Sequence, residues 1–126
     1  IIRATLESLA YQVNDVLEVM KEDAESNLAV LRVDGGASAN NLLLQIQSDI
    51  SNVAVERPEC IETTALGAAY LAGLAVGFWK SKEAVLESRN VEHIFRTNID
   101  DEKRNAMVKG WRAAVGCSRD WIKKIQ

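Results

Sequence analysis

The run Leu31-Arg32-Val33-Asp34-Gly35-Gly36-Ala37-Ser38-Ala39-Asn40-Asn41 holds the residues of this chain whose types and spacing can do chemistry. An apolar strand over residues 29–33 meets two glycines, and a helix carrying Leu42, Leu43, Ile46 and Ile50 follows. A strand ending in such a turn aims backbone N–H groups and the positive end of a helix dipole into one small space, which suits a phosphate or another anion. Gly35 and Gly36 carry no Cβ, so a ligand can come close to the main chain, and either can take φ > 0. Asn40 and Asn41 fall on the first helical turn, where a carboxamide offers a donor and an acceptor to a base or hydroxyl. The same Gly-Gly turn also joins strand to helix in αβ proteins that bind nothing there. Neither G-x-x-x-x-G-K-[ST] nor G-x-G-x-x-G is present.

The elements that must position this turn can be read around it. Leu6, Leu9, Val13, Val16, Leu17 and Met20 recur at three and four residues and predict one apolar face of a long helix over residues 2–20. The charged residues 21–25 read as a solvated turn, closed by Ser26 and Asn27. Residues 28–33 are apolar except Arg32, which predicts a parallel strand covered on both faces. A second strand over residues 53–55 is expected to stop at Arg57-Pro58, since proline cannot donate to a ladder. Strand, helix and strand in so short a span make a βαβ unit, parallel and right-handed, whose ligands gather beyond the strands' carboxyl ends. Gly35 and Gly36 lie there.

Thr63 or Thr64 is the expected N-cap of the next helix, which is dominated by small residues from Ala65 to Ala75. Glycine in a helix costs about 1 kcal/mol relative to alanine. Close packing, or a ligand at the first turn, must therefore gain from Gly67 and Gly73. Ser81 is placed to cap a short helix over residues 82–87. Residues 88–98 show no clean period, with Ile94 and Phe95 fastening them to the body and His93 on the surface. Asp100 or Asp101 caps a last helix with Met107, Trp111, Ala114, Val115 and Ile122 on one face. Its Trp111 and Trp121 are expected to pack on their own domain.

Composition narrows the classes. The chain has 126 residues, 48% hydrophobic and 26% charged, with a formal net charge of −3. That describes one globular domain or part of one, without a nucleic-acid or anionic-membrane footprint. No apolar run reaches bilayer length, and no signal-peptide layout is seen. Cys60 and Cys117 are isolated and read as reduced thiols in a cytoplasmic protein. A start at Ile1, directly inside a helical pattern, reads as an excised piece.

The Asp34-Gly35-Gly36-Ala37 turn, the Val55-Glu56-Arg57-Pro58-Glu59 loop and the Thr64-Ala65-Leu66-Gly67-Ala68-Ala69 helix stand in one order with short spacers. This combination resembles the C-terminal domain of the FGGY family of carbohydrate kinases. The likeness is densest over residues 30–79 and nearest to the glycerol-phosphorylating subfamily. It implies an α/β fold: part of an actin-like (ribonuclease H-like) ATPase domain, helix-rich, with short parallel strands. Residues 1–79 would be the core portion and 80–126 a C-terminal helical extension. It further implies that Gly35, Gly36, Ala37 and Asn40 bind nucleotide, the glycine N–H at the phosphate end and the Asn40 amide at adenine. ATP or ADP with Mg²⁺ would be the cofactor, and the γ-phosphoryl group would pass to glycerol to give glycerol 3-phosphate. The catalytic base, the magnesium ligands and most of the glycerol site would lie in parts of the protein outside these residues. Asp34 is then expected to bond its own turn in preference to a metal. Another sugar or polyol kinase of the family, or a non-catalytic nucleotide-binding or structural module, remains compatible with the residues. The resemblance implies a homo-oligomer. Two strands alone would leave an apolar face uncovered, so the isolated chain is expected to be marginally stable or to self-associate.

Overall fold

The computed structural model describes residues 1–25 and 27–119; Ser26, Trp121 and Ile122 lie outside the described residues. Helix α1 (Ile2–Asp23) leads to strand β1 (Val30–Arg32), a 3-10 turn (Gly36–Ala39), α2 (Asn41–Ser51) and β2 (Ala54–Pro58). Then come α3 (Thr63–Ala75), α4 (Lys82–Glu87), β3 (Val91–Phe95) and α5 (Asp101–Ser118). The sheet order is β1-β2-β3, with β1 and β2 parallel and β2 and β3 antiparallel.

Helix α2 is the hub. It buries Leu44, Ile46, Gln47, Ser48, Ile50 and Ser51, so little of its surface is left to solvent. Ile46 and Ile50 meet Ala10 of α1, with Leu6, Tyr11, Met107 and Val108 closing over them. On the sheet side Leu44, Val55 and Phe95 form a second core, flanked by Leu31 and Val33. Helix α2 ends at Asn52 in the left-handed region (φ 51, ψ 39), a conformation that asparagine tolerates better than most residues.

Several expectations shift once the chain is folded. The apolar periodicity of α1 is real, but the buried stripe runs through Ala10, Asn14 and Leu17, while Leu9, Val13, Val16 and Met20 stay exposed. A period marks a face; which part of it is covered depends on what packs there.

Strand β2 does not stop at Arg57 but runs through it to Pro58, which pairs with Val91 across a register shift. Proline is tolerated at such an irregularity because no regular ladder bond is asked of its nitrogen. Residues 91–95, read as irregular, form a third strand. Only Phe95 is buried there, so the strand carries no apolar alternation for a sequence to display.

Trp111 packs on its own domain: its ring stacks on Tyr11 at 5.2 Å and 9°, and its Nε1 donates to Asp15 Oδ2 at 2.9 Å. Burial, then the charge of Glu7, pushes the Tyr11 hydroxyl above its ordinary pKa. Ser81 and Asp100 cap α4 and α5 as expected, accepting from Ala84 N–H and Lys103 N–H. Helix α3 is different, since Glu62 is its N-cap and makes no side-chain cap bond. Thr63 is already helical, and Thr64 follows it inside the helix. The close approach at Gly73 comes from the chain itself, because a Cβ there would lie 2.3 Å from the Trp79 ring. Leu71, Val76 and Phe78 remain exposed around α3. Cys60 and Cys117 are both exposed, as is His93.

Candidate functional site

At the carboxyl end of β1 the chain reaches Gly35 with φ 76 and ψ 171, a backbone region essentially open only to glycine. The sequence required a glycine of this kind without saying which, and the structure assigns the positive φ to Gly35. The Gly35 N–H donates to Ile61 O at 2.8 Å, so this amide is spent inside the protein. Its carbonyl accepts from Ser38 N–H at 3.0 Å and from the Ser38 hydroxyl at 2.7 Å. The turn is therefore tied at its base.

The next two amides are not. Gly36 and Ala37 open a 3-10 turn, whose first N–H groups lack intrahelical acceptors. Among the described residues neither donates to a protein acceptor. A Cβ placed on Gly35 or Gly36 would meet nothing within 4 Å. Gly36, Ala37 and Asn40 are all exposed. The interposed 3-10 turn means that the glycines do not run straight into the helix, as the sequence suggested.

Asn40 stands at the N-cap of α2, with Asn41 as the first helical residue. Asn40 Oδ1 accepts from Leu43 N–H at 3.1 Å. The cap uses one lone pair of the oxygen, and among the described residues the Nδ2 amine donates to no protein acceptor, so it is the available donor. Asn41 has a different task, with its Oδ1 accepting from Arg57 Nη1 at 2.7 Å. No acidic residue occupies the first turn of α2, so nothing on that helix competes with an incoming anion for its positive end.

Asp34 does not bond its own turn. Its Oδ2 accepts the hydroxyl of Thr63, linking the turn to the start of α3. Among the described residues no group of three or more His, Cys, Asp or Glu side chains is placed to hold a metal ion. A recess of about 570 Å³ opens on one side, with Arg32, Asp34, Glu56, Thr63, Arg89 and Asn90 in its wall beside apolar residues such as Leu86 and Val91. On the other side lies an apolar recess of about 200 Å³, with Val13, Leu31, Val33, Ala37 and Leu43 in its wall.

In sequence Arg57 stands only as part of the Val55-Glu56-Arg57-Pro58-Glu59 loop. The structure places it at the centre of the site's support, 7% exposed. The signal that could have found it is the strand period: in Ala54–Pro58 the buried positions are Val55 and Arg57, so the arginine shares the inward face.

Residues 1–76 match the model for the FGGY family of carbohydrate kinases, C-terminal domain. The chain is 58% identical over 124 residues to a glycerol kinase of Thermoanaerobacter sp. (strain X514), which covers 98% of this chain and 25% of that protein. It is 57% identical over 123 residues to a glycerol kinase of Agathobacter rectalis, with 98% and 25% covered. The chain thus spans about a quarter of the length of these curated relatives. Among solved structures it superposes on Plasmodium falciparum glycerol kinase with ADP at TM-score 0.85 and 38% identity, over 94% of this chain and 24% of that one. A xylulose kinase from Lactobacillus acidophilus shares the fold at TM-score 0.79 and 14% identity, over 98% and 25%.

Proposed function

The chain belongs to the FGGY family of carbohydrate kinases, and from that premise we propose that it is the nucleotide-binding C-terminal portion of an ATP-dependent glycerol kinase. In this reading the turn Gly35-Gly36-Ala37 receives the phosphate end of ATP or ADP. Asn40 holds the adenine. The observation that carries it is the open bend beside a helix N-terminus: the Gly36 and Ala37 amides have no protein acceptor among the described residues, and a Cβ on Gly35 or Gly36 would meet nothing within 4 Å. The high identity to curated glycerol kinases supports the acceptor alcohol.

Phosphoryl transfer asks a protein for positioning and charge stabilisation more than for covalent chemistry. Gly36 N–H and Ala37 N–H supply fixed dipoles that need no reorganisation when phosphate arrives. Gly35 holds the backbone in the conformation that presents them. The capped Asn40 donates through Nδ2 to a ring nitrogen of the base. A magnesium ion bound with the nucleotide would neutralise charge on the phosphoryl oxygens. Asp34, engaged with Thr63, is not assigned to it, and its ligands are assigned to residues beyond this chain, as are the base acting on the glycerol hydroxyl and most of the glycerol contacts. No helix among the described residues is long and apolar enough to cross a membrane. ATP as donor fits a cytoplasmic setting, and exposed apolar residues on α1 and α3 favour burial against further protein, a second copy included.

The test uses two substitutions in the complete polypeptide. Asn40→Asp keeps an acceptor at the N-cap but removes the amine donor, whereas Asn40→Ala removes both. ADP titration is expected to weaken about tenfold in each, corresponding to about 1.4 kcal/mol for a lost donor. Only the alanine variant should lose helix stability, by about 1 kcal/mol. An Asn40→Asp protein that binds ADP as the parent does would overturn the adenine assignment. Phosphorylation of xylulose or gluconate, with none of glycerol, would overturn the acceptor.

A further inference from the structure

Arg57 is buried, and each of its three guanidinium nitrogens has a partner. Nη1 donates to Ser38 O at 3.0 Å and to Asn41 Oδ1 at 2.7 Å. Nε and Nη2 donate to the two carboxylate oxygens of Glu92 on β3, at 2.6 and 3.3 Å. The guanidinium carbon sits 5.5 Å above the Phe95 ring. One side chain on β2 therefore spans the last part of the 3-10 turn, the first residue of α2 and the outer strand.

Burying such a charge is a poor route to stability, since a well-packed apolar residue often does as well or better. What an arginine adds is direction, because its planar fork fixes several acceptors at once. Two of the acceptors, Ser38 O and Asn41 Oδ1, follow closely after the open amides of Gly36 and Ala37. Ser38 ties its hydroxyl back to Gly35 O while its own carbonyl is held by Arg57, so the turn is braced from both ends. A turn braced before the ligand arrives does not have to be ordered by it, and ordering is a direct subtraction from affinity.

We infer that Arg57, oriented by Glu92, is a positioning residue for the nucleotide: it holds the Gly36–Ala39 turn in its binding-competent form without touching the ligand. This rests on the nucleotide reading of the turn given above. It makes the outer strand β3 part of the apparatus, although β3 contributes no residue to the turn itself.

The experiment measures ADP affinity and the separate KM values for ATP and glycerol in the complete polypeptide. The variants are Arg57→Lys, Glu92→Gln and, as a control on the turn itself, Gly36→Val. Arg57→Lys keeps the charge but not the fork, and is expected to weaken ADP binding and raise KM for ATP about five- to twentyfold. Glu92→Gln should act in the same direction by about two- to fourfold, since it loosens the fork without removing it. KM for glycerol should stay within about twofold in both, whereas general damage to the domain would move both substrates or only the active fraction. If Gly36→Val weakens ADP while Arg57→Lys and Glu92→Gln do not, the brace is wrong and the nucleotide site stands. If Gly36→Val leaves ADP binding unchanged, the nucleotide reading itself falls. Should Arg57→Lys fail to fold, the half-exposed Glu92 decides, and an unchanged ADP affinity in Glu92→Gln overturns the inference.

Discussion

Gly35 and Gly36 are chemically identical neighbours, yet replacing each by alanine is expected to do different damage. At Gly35 the backbone sits at φ 76, ψ 171, and a Cβ would touch nothing within 4 Å. No collision contributes, so the penalty of Gly35→Ala is conformational. A non-glycine residue held in that region costs about 1–3 kcal/mol. The unfolded chain loses entropy with the added methyl, which returns about 0.4–1 kcal/mol. Mid-range values of these two terms leave a net loss of about 1–2 kcal/mol. If the backbone instead relaxes to φ < 0, the Gly35 N–H must leave Ile61 O, a loss of about the same order.

At Gly36, outside the left-handed region and equally open, alanine should change local stability by less than about 0.5 kcal/mol. Its methyl would instead project towards the space assigned to the ligand. The assay is amide hydrogen exchange on the complete polypeptide, reading residues 33–44. Exchange of the Ser38 and Asn40 amides, both bonded within the turn, should accelerate about 5- to 30-fold in Gly35→Ala and stay at the parental rate in Gly36→Ala. ADP binding should weaken in both. Equal exchange in the two variants would refute the assignment of the strained conformation to Gly35.

Two further outcomes follow from side chains away from the turn. Arg104 is 8% exposed and donates to Asp49 O at 2.7 Å, Thr97 Oγ1 at 2.9 Å and Ile99 O at 3.1 Å, besides pairing with Asp101. Arg104→Met should therefore lower stability by about 2–3 kcal/mol in urea unfolding, by orphaning carbonyls at the α2–α5 junction. Tyr11 is raised above its ordinary value of 10.0, so its neutral form is favoured in the folded state. Its stabilising contribution is full below the unfolded value and fades as pH rises through the folded one. Melting curves from about pH 8 to about pH 11.5 should show the parent losing stability relative to Tyr11→Phe only at the alkaline end.

The parts of this protein legible from sequence are those specified within a few residues of chain. The strand, paired glycines and following helix announce themselves because β-propensity, a Cβ-free turn and a 3.6-residue period are local properties. So are the caps at Ser81 and Asp100, where an oxygen three residues from an N–H needs nothing else to find it. Strand β3 was not legible, because four of its five residues face solvent and carry no pattern. Nor was the brace at Arg57, whose partners lie 19 positions before it and 35 after it, an arrangement that only sheet pairing creates. The same reason moved Asp34 from its own turn to Thr63, 29 residues on. Residue type and short spacing determined that a Cβ-free turn stands between a strand end and a helix start. Packing between β2, β3 and α2 decided which amides remain available and what keeps them in place.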